Sequence, residues 1–372
     1  MTLREQLEAI LAGHTPDQIP AICRLDKWYR AARATNGLPP ELAGFSLEQV
    51  ETHLGFGRPA RDARIFKTIL EPPVERIDSR IGDDLLTEWQ TPRGTLRFVR
   101  RYGPGEEEAG LAPTVVEHPI RSIDDYAAFI EVFKHTHFEP DFDAYRAYDE
   151  QVGPNGLPMV NLGAIPFHEM LIRWTGYERG YLDLADRPDV VLEAVEAANT
   201  AWRRMWTIVA ESPARLVMHG VNFDTQMTPP GIFREHFLSY LKPFNKLMHE
   251  SGKWVAFHAD GDTSGLLDLM VEADYDVAEG FTCEPLVRCT FEQARAAWKD
   301  RITIWGALPS TLLEPSIPLE RLESHLNKIY AAIEDGRRFI FGYSDQAMPT
   351  SSWPHIQASA RFVTDHAIPI VL

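Results

Sequence analysis

The sequence predicts an α/β protein, a (β/α)8 barrel with an N-terminal elaboration, and three observations carry that prediction. From about residue 155 onward, short apolar and β-branched runs alternate with helical patterns, the spacing of βαβ units on a parallel sheet. Gly252 and Gly336 stand just past helical runs and just before strands, where helix C-termini favour glycine. Five successive runs, "MHGVNFD", "FHADGD", "AEGFTCE", "WGALP" and "GYSD", carry their polar residues at the C-terminal end. In a barrel that end is the active-site face, and the opposite end serves stability.

Taken in order, the chain opens with "MTLREQLEAILAGHTPDQIPAI", an amphipathic helix pattern ending at a polar turn. "IPAICRLDKWY" reads as a first strand with a helix after it, and residues 74–103 alternate like antiparallel strands turning at "PRG". "GPGEEEAG" is a solvated loop. The regular series begins with strand "PMVNLGAI", the helical stretches "FHEMLIRWTGYERGYLDLAD" and "PDVVLEAVEAANTAWRRMWTIVAE", and strand "RLVMHGVNF". It continues through helix "GIFREHFLSYLKPFNKLMHESG", strand "WVAFHADG", helix "TSGLLDLMVEA" and strand "YDVAEGFT". It closes with helix "TFEQARAAWKD", strand "ITIWGALP", helix "PLERLESHLNKIYAAIEDG", strand "RFIFGYSD" and helix "WPHIQASARFVTDH". No low-complexity or Pro/Ser-rich linker divides the chain. Residues 1–372 are therefore read as one barrel domain, with 1–150 as the elaboration plus first strands and 151–372 as regular βα units.

Composition narrows the function. Against 37 basic residues stand 54 acidic ones, a formal charge of −17, which disfavours nucleic acid or an anionic membrane as the main partner. Three cysteines, Cys23, Cys283 and Cys289, are too few and too scattered for a disulfide framework. The opening stretch lacks the features of a signal peptide, and no apolar run approaches a membrane span. A cytoplasmic protein is expected.

The segment "WVAFHADGDTSGLLDLMVEADYDVAEGFTCEP" concentrates the chemistry. His258 and Asp260 are two apart, so their side chains leave the same face if the strand runs that far. Glu279 and Cys283 close the next strand, one stave away. His, carboxylate and Cys are the usual zinc ligands, and a catalytic zinc takes three of them plus an open position, so all four residues are candidate ligands. The competing reading makes His258 a core histidine bonded to a carbonyl and Cys283 a small apolar residue. An unpaired buried Glu279 would be costly either way. Asn222 and Asp224 follow the preceding strand and are turn formers or catalytic groups, with His219 just before them. Tyr343 and Asp345 form the matching pair after the last strand. His168 follows the third strand, at the start of a helix. Trp28, Phe167, Trp305 and Trp353 fall near strand ends, where a few aromatic side chains at the mouth would suit a flat or apolar substrate.

The order "PAICRLDKWY", "HGVNFDTQMTPPGIFREHFLSYLKPF", "FHADGDTSGLLDLMVEADYDVAEGF", "IWGALP" and "FIFGYSDQAMP" resembles the superfamily of uroporphyrinogen decarboxylase and the cobalamin-dependent methyltransferases that share its barrel. The likeness covers most of the chain and looks closest to the methyltransferase-like branch. Only Arg24 stands where the decarboxylases carry an arginine-rich loop, and Gly342, Tyr343 and Ser344 replace their final Gly-His-Gly, which disfavours the porphyrinogen reaction. In the branch acting on coenzyme M, zinc is held by His-x-Cys after the fifth strand and a Cys after the eighth. Here His258 matches the histidine, Asp260 replaces the first cysteine, and Tyr343 or Asp345 occupies the region of the second. Harder ligands of this kind suit demethylation of a methoxylated compound better than activation of a thiol.

The resemblance thus implies methyl transfer from a small methoxylated or methylated donor to cobalamin carried by a partner corrinoid protein, with zinc assisting. In that reading His258 and Glu279 bind zinc with Asp260 or Cys283, while Asn222, Asp224 and Tyr343 orient substrate or move a proton. Arg24, Trp28, His168, His219, Trp305 and Asp345 line the donor site. Two alternatives are kept: a metal-free decarboxylase on a smaller acid, with Arg24 as anchor and Asp224 as acid, and a ligand-binding barrel without chemistry. The oligomeric state is left open between monomer and homodimer.

Overall fold

The structure is a computed structural model, and it describes residues 1–366. After the N-terminal helix Leu3–Leu11 and the helices Asp26–Ala34 and Leu47–His53 comes β1 (Phe66–Leu70). A four-stranded antiparallel meander follows: β2 (Glu75–Ile81), β3 (Asp84–Thr91), β4 (Gly94–Arg101) and β5 (Thr114–Glu117), in that spatial order. Past the helix Asp125–Lys134 the chain returns as β6 (Thr136–Pro140) to pair antiparallel with β1. The turn expected at "PRG" joins β3 to β4, with Thr91 opposite Gly94. A second tight turn, unmarked in the sequence reading, sits at Gly82–Asp83, where Gly82 takes φ 60°.

The regular part supplies β7 (Met159–Asn161), β8 (Leu216–Val221), β9 (Trp254–His258), β10 (Val277–Phe281), β11 (Thr303–Pro309) and β12 (Phe339–Ser344), parallel and in sequential order. Two very short staves close the wall. Ala21 bridges Phe341 in parallel, through Ile22 N to Phe341 O at 2.8 Å and Phe341 N to Pro20 O at 2.9 Å. Ala63 bridges Val160, also in parallel. The outcome is the eight-staved (β/α)8 barrel, six staves being full strands and two little more than single bridges.

Alternation along each strand separates two cores. Val217, Val255, Phe257, Ala278, Ile304, Phe339 and Phe341 face the surrounding helices and join the larger core. Leu216, Met218, Ala256, Val277, Trp305 and Ile340 face inward and pack with Leu7, Ile10 and Leu11 of the first helix. Those three side chains are at most 2% exposed, and burying each contributes about 1.5–3 kcal/mol. The helix is fixed by a capping box at Thr2 and Glu5, by Arg338 Nη1 donating to Leu11 O at 2.6 Å, and by an Arg215–Glu8 ion pair. It therefore plugs the N-terminal end of the barrel, leaving the other end for chemistry.

Trp305 spans the interior and donates its indole N–H to Ile22 O at 3.2 Å. Gly342 makes room for it, since a Cβ there would lie 2.9 Å from Ile22 O and 3.1 Å from Trp305 Cδ1. The helical stretch expected over "FHEMLIRWTGYERGYLDLAD" is broken at Gly176, φ 72°, after a π-helical turn over Met170–Thr175.

Candidate active site and metal centre

At the C-terminal mouth, β9 ends in His258 and β10 delivers Glu279, its registered neighbour across the sheet. His258 Nδ1 lies 2.7 Å from Glu279 Oε2, and the carboxylate fixes that nitrogen as the one carrying hydrogen. This leaves Nε2 to point into the mouth, 3.4 Å from Asp345 Oδ1. The fit depends on Gly280, which occupies a bulge at φ 67°: a Cβ there would meet His258 Cε1 at 2.6 Å. Asp260 follows His258 and is held by Thr282 Oγ1 donating to Oδ1 at 3.1 Å. Asp345 follows β12 in the left-handed region at φ 58°, and Gln346 Nε2 donates to its Oδ2 at 2.7 Å.

Two arginines from the short staves complete the cluster. Arg24 forms a hydrogen-bonded ion pair with Asp345. Arg61 lies over Met218, with buried Nη1 3.4 Å from Glu279 Oε1 and 3.8 Å from Asp345 Oδ1 but without a hydrogen bond to either. Burial by itself would depress the His258 imidazole, yet the carboxylates of Glu279 and Asp345 outweigh it and raise the pKa to about 9. Burial would raise Glu279, but Arg61 and His258 hold it down to about 2. Asp345 is likewise driven well below the carboxylate range, its burial overcome by His258 and Arg24. Asp260 moves the other way, pushed up by burial and by the Asp345 charge. With His258 protonated, three cations face three carboxylates.

One ligand atom from each of His258, Asp260 and Asp345 can be chosen so that all lie within 4.8 Å of one another. Imidazole and two carboxylates suit zinc, whose bonds to N and O are roughly 2.0–2.2 Å, so the cluster needs only a modest contraction to close on an ion. Glu279 stands behind the histidine as the carboxylate partner that ligating histidines usually have.

Residues 106–366 match the family described as Uroporphyrinogen decarboxylase (URO-D). The chain belongs to that family. Among solved structures it is similar to a methyltransferase from Methanosarcina mazei, with 15% identity and a TM-score of 0.58 over 98% of this chain and 99% of the other. At that identity the likeness speaks to the fold. No curated protein sequence matches the chain.

Within this URO-D family barrel, the residues singled out from sequence divide sharply. His258, Asp260, Glu279, Asp345 and Arg24 converge. Cys283 does not: it is fully buried, its thiol donates to Ala307 O at 3.3 Å, and burial pushes its pKa well up. Tyr343 faces the outer helices, hydrogen-bonded to Ser359 Oγ at 2.9 Å, because Gly342 and Ser344 hold the inward register. His219 is outward for the same reason. It contacts Gly163 O and the Tyr240 hydroxyl and stacks on Trp202, and burial lowers its pKa to about 4.

Asp224 spends both carboxylate oxygens on the backbone N–H groups of Gln226, Met227 and Asp262, which makes it the organiser of its loop. Asn222 is exposed, at φ 49°, and its backbone N–H donates to His258 O. His168 is buried against Tyr177 and Phe223. Trp28 stacks on Trp353 at 5.5 Å, so this pair lines a separate surface groove, and Trp305 forms the floor beneath the ions. The expected aromatic mouth is thus replaced by a charged one.

Arg61 was not visible in sequence. Its stave is a single bridge, too short to carry any alternation. Beside it lies a cleft of about 520 Å³ lined by Arg24, Arg58, Arg61, Glu51 and Tyr148 among others, which touches the cluster through its two arginines and not through His258, Asp260, Glu279 or Asp345. Among the described residues no helix is long and apolar enough to cross a membrane.

Proposed function

We propose that this chain is a methyltransferase of the URO-D family that takes a methyl group from a small polar methoxylated or methylated donor and passes it to cobalamin on a partner corrinoid protein. The observation that carries this reading is the convergence of His258, Asp260 and Asp345 at the mouth, with Glu279 fixing the histidine tautomer. These three residues would hold zinc, and Glu279 would orient His258 from behind. When bound, zinc supplies Lewis acidity at the heteroatom that loses its methyl group.

The chain's own groups do the rest. Arg24 and Arg61 balance the carboxylates and offer N–H donors toward a polar or anionic substituent on the donor. Gln346 keeps one oxygen of Asp345 occupied, so that the other faces His258. Trp305 and the plugging helix close the barrel below the cluster, so the donor and the corrinoid must share the open face. The arginine-lined cleft has room for a small molecule of the size that such sites take.

The test is metal content together with turnover. Protein purified without chelator should carry close to one zinc, and His258→Ala should lose it while remaining folded. With a reduced corrinoid protein supplied, the donor should lose one methyl group and the cobalamin should emerge methylated. The paired arginines also favour a second reading, in which they anchor the carboxylate of a small acid for decarboxylation without metal. Release of carbon dioxide by this chain alone would establish that reading in place of the first.

A further inference from the structure

Among the described residues, Glu51 is the one buried acid whose carboxyl has neither a hydrogen bond nor an ion pair. It sits on the helix Leu47–His53 and is 4% exposed. The other buried acids, Asp183, Asp262 and Glu279, are all bonded. Neither oxygen of Glu51 is sealed off, because the side chain lines the 520 Å³ cleft and opens on it.

Its surroundings leave it without a counterion. Arg58 is the cation that acts on it, but Arg58 gives Nη1 to Gln151 O at 2.7 Å and Nη2 to Glu48. Glu48 on the same helix and Asp26 on the helix Asp26–Ala34 both oppose a charge at Glu51. The Cys23 thiol and the Tyr148 phenol, which face it from the first stave and from the helix Phe142–Val152, carry no positive charge. An ionised carboxyl in such a place is costly, so the group keeps its proton. Burial raises its pKa to about 8. A protonated carboxyl has an O–H to give, and nothing on the protein takes it.

The same cleft holds guanidinium groups with bonds to spare. Arg30 has no hydrogen bond or ion pair among the described residues and packs against Gly110 of the loop between β4 and β5, where any Cβ would collide with it. Arg61 keeps an unbonded Nη1. Of the remaining charges, Arg24 is committed to Asp345, and Asp62 stands on the exposed rim. Leu25, Leu47, Pro59 and Ala60 add an apolar wall.

We propose that this cleft is a subsite for a small organic carboxylate, in which Glu51 donates its O–H to one carboxylate oxygen while Arg30 and Arg61 supply the positive charge. The proposal draws on the methyl-transfer reading only in taking the occupant to be the methyl donor, which makes Glu51 a residue that selects carboxylated donors. An O–H···O⁻ bond is charge-assisted and about twice as strong as its neutral counterpart, so a neutral isostere is bound less well. An ammonium compound is opposed by the guanidinium groups. A bound carboxylate also holds the Glu51 proton more firmly, and binding therefore takes up a proton wherever the free acid has ionised.

The experiment is calorimetric titration of the full chain, with chelator present so that no metal competes for the probe. Benzoate, benzamide and benzylamine are compared from about pH 6.5 to 9.5. Benzoate should bind in roughly the millimolar range, and benzamide and benzylamine on the order of 10-fold more weakly or worse. Benzoate affinity should be level up to the Glu51 pKa of about 8 and fall above it, approaching about tenfold per pH unit. Near pH 8, two buffers of different ionisation enthalpy should reveal uptake of about half a proton on binding.

Glu51→Gln keeps a neutral donor at the same place, so it should bind benzoate with a level pH profile and no proton uptake. Arg30→Gln, an exposed substitution, should weaken benzoate binding several-fold at every pH and leave the shape of the profile unchanged. No benzoate binding up to about 20 mM, benzamide or benzylamine bound as tightly, a Glu51→Gln profile like that of the wild type, or benzoate affinity indifferent to Arg30→Gln would each overturn the proposal. None of these readouts uses zinc or a corrinoid protein, so their failure leaves methyl transfer standing, and failure of methyl transfer leaves them standing.

Discussion

Replacing Glu279 with Gln keeps the shape of the side chain and removes the charge behind His258, and two separate measurements should respond. The carboxylate sits 2.7 Å from His258 Nδ1 and 3.4 Å from Arg61 Nη1, and it is 2% exposed. The amide can still accept from Nδ1–H, but it no longer raises the electron density of the ring or offsets the guanidinium. Loss of such a partner costs a ligating histidine 10- to 100-fold in metal affinity, about 1.4–2.7 kcal/mol. A zinc titration against a competing chelator measures this directly.

The second measurement uses metal-stripped protein. The folded pKa of His258, about 9, lies above its ordinary 6.5. Its contribution to stability is therefore complete below pH 6.5 and lost as pH rises through 9. The shift is worth about 3 kcal/mol at most. Urea denaturation should show wild-type stability falling across that window and a visibly flatter profile for Glu279→Gln. Zinc affinity and pH profile both unchanged by the substitution would refute the assignment of Glu279 as the group that positions His258.

Three further outcomes are expected. Gly280→Ala places a methyl 2.6 Å from His258 Cε1 at φ 67°; the left-handed backbone alone costs about 1–2 kcal/mol, so both the melting temperature and the zinc content should fall. Glu51 is 4% exposed, and burial raises its pKa to about 8. The native state thus holds a proton that the unfolded chain has released above pH 4.5, stability drops as pH climbs from 4.5 to 8, and Glu51→Gln should remove that drop in denaturant titrations at pH 6 and pH 9. Trp305→Phe leaves Ile22 O without its indole donor and should lower denaturation stability by about 1–3 kcal/mol, with the far-ultraviolet dichroism of the barrel unchanged.

The strands and their polar ends were legible because each regular stave is long enough for apolar residues and a trailing polar residue to show. His258 and Asp260 fell out of that pattern directly, whereas Glu279, expected as a zinc ligand, is bonded to His258 Nδ1 and stands behind the candidate ligands His258, Asp260 and Asp345. What the sequence misplaced turns on single-residue parity: Tyr343 and His219 stand one residue away from inward positions, and nothing in an all-apolar buried strand marks which residues face the interior. Cys283 was misplaced because the bulge at Gly280 shifts the register after Glu279. Asp345 was read as a substrate contact, and its place beside His258 depends on a left-handed backbone that only coordinates reveal. Arg61 had no pattern to betray it.

The two shortest staves have a consequence for how such a site can be retuned. The candidate metal-binding groups all hang from the continuously bonded arc of the wall, β9 to β12, whereas Arg24 and Arg61 ride on the seam, where one bridge apiece joins the barrel. Insertions or drift along the seam would move the cations against a fixed anionic centre. One rigid scaffold could in this way serve donors of different charge by editing its least constrained edge, while the chemistry opposite stays in register.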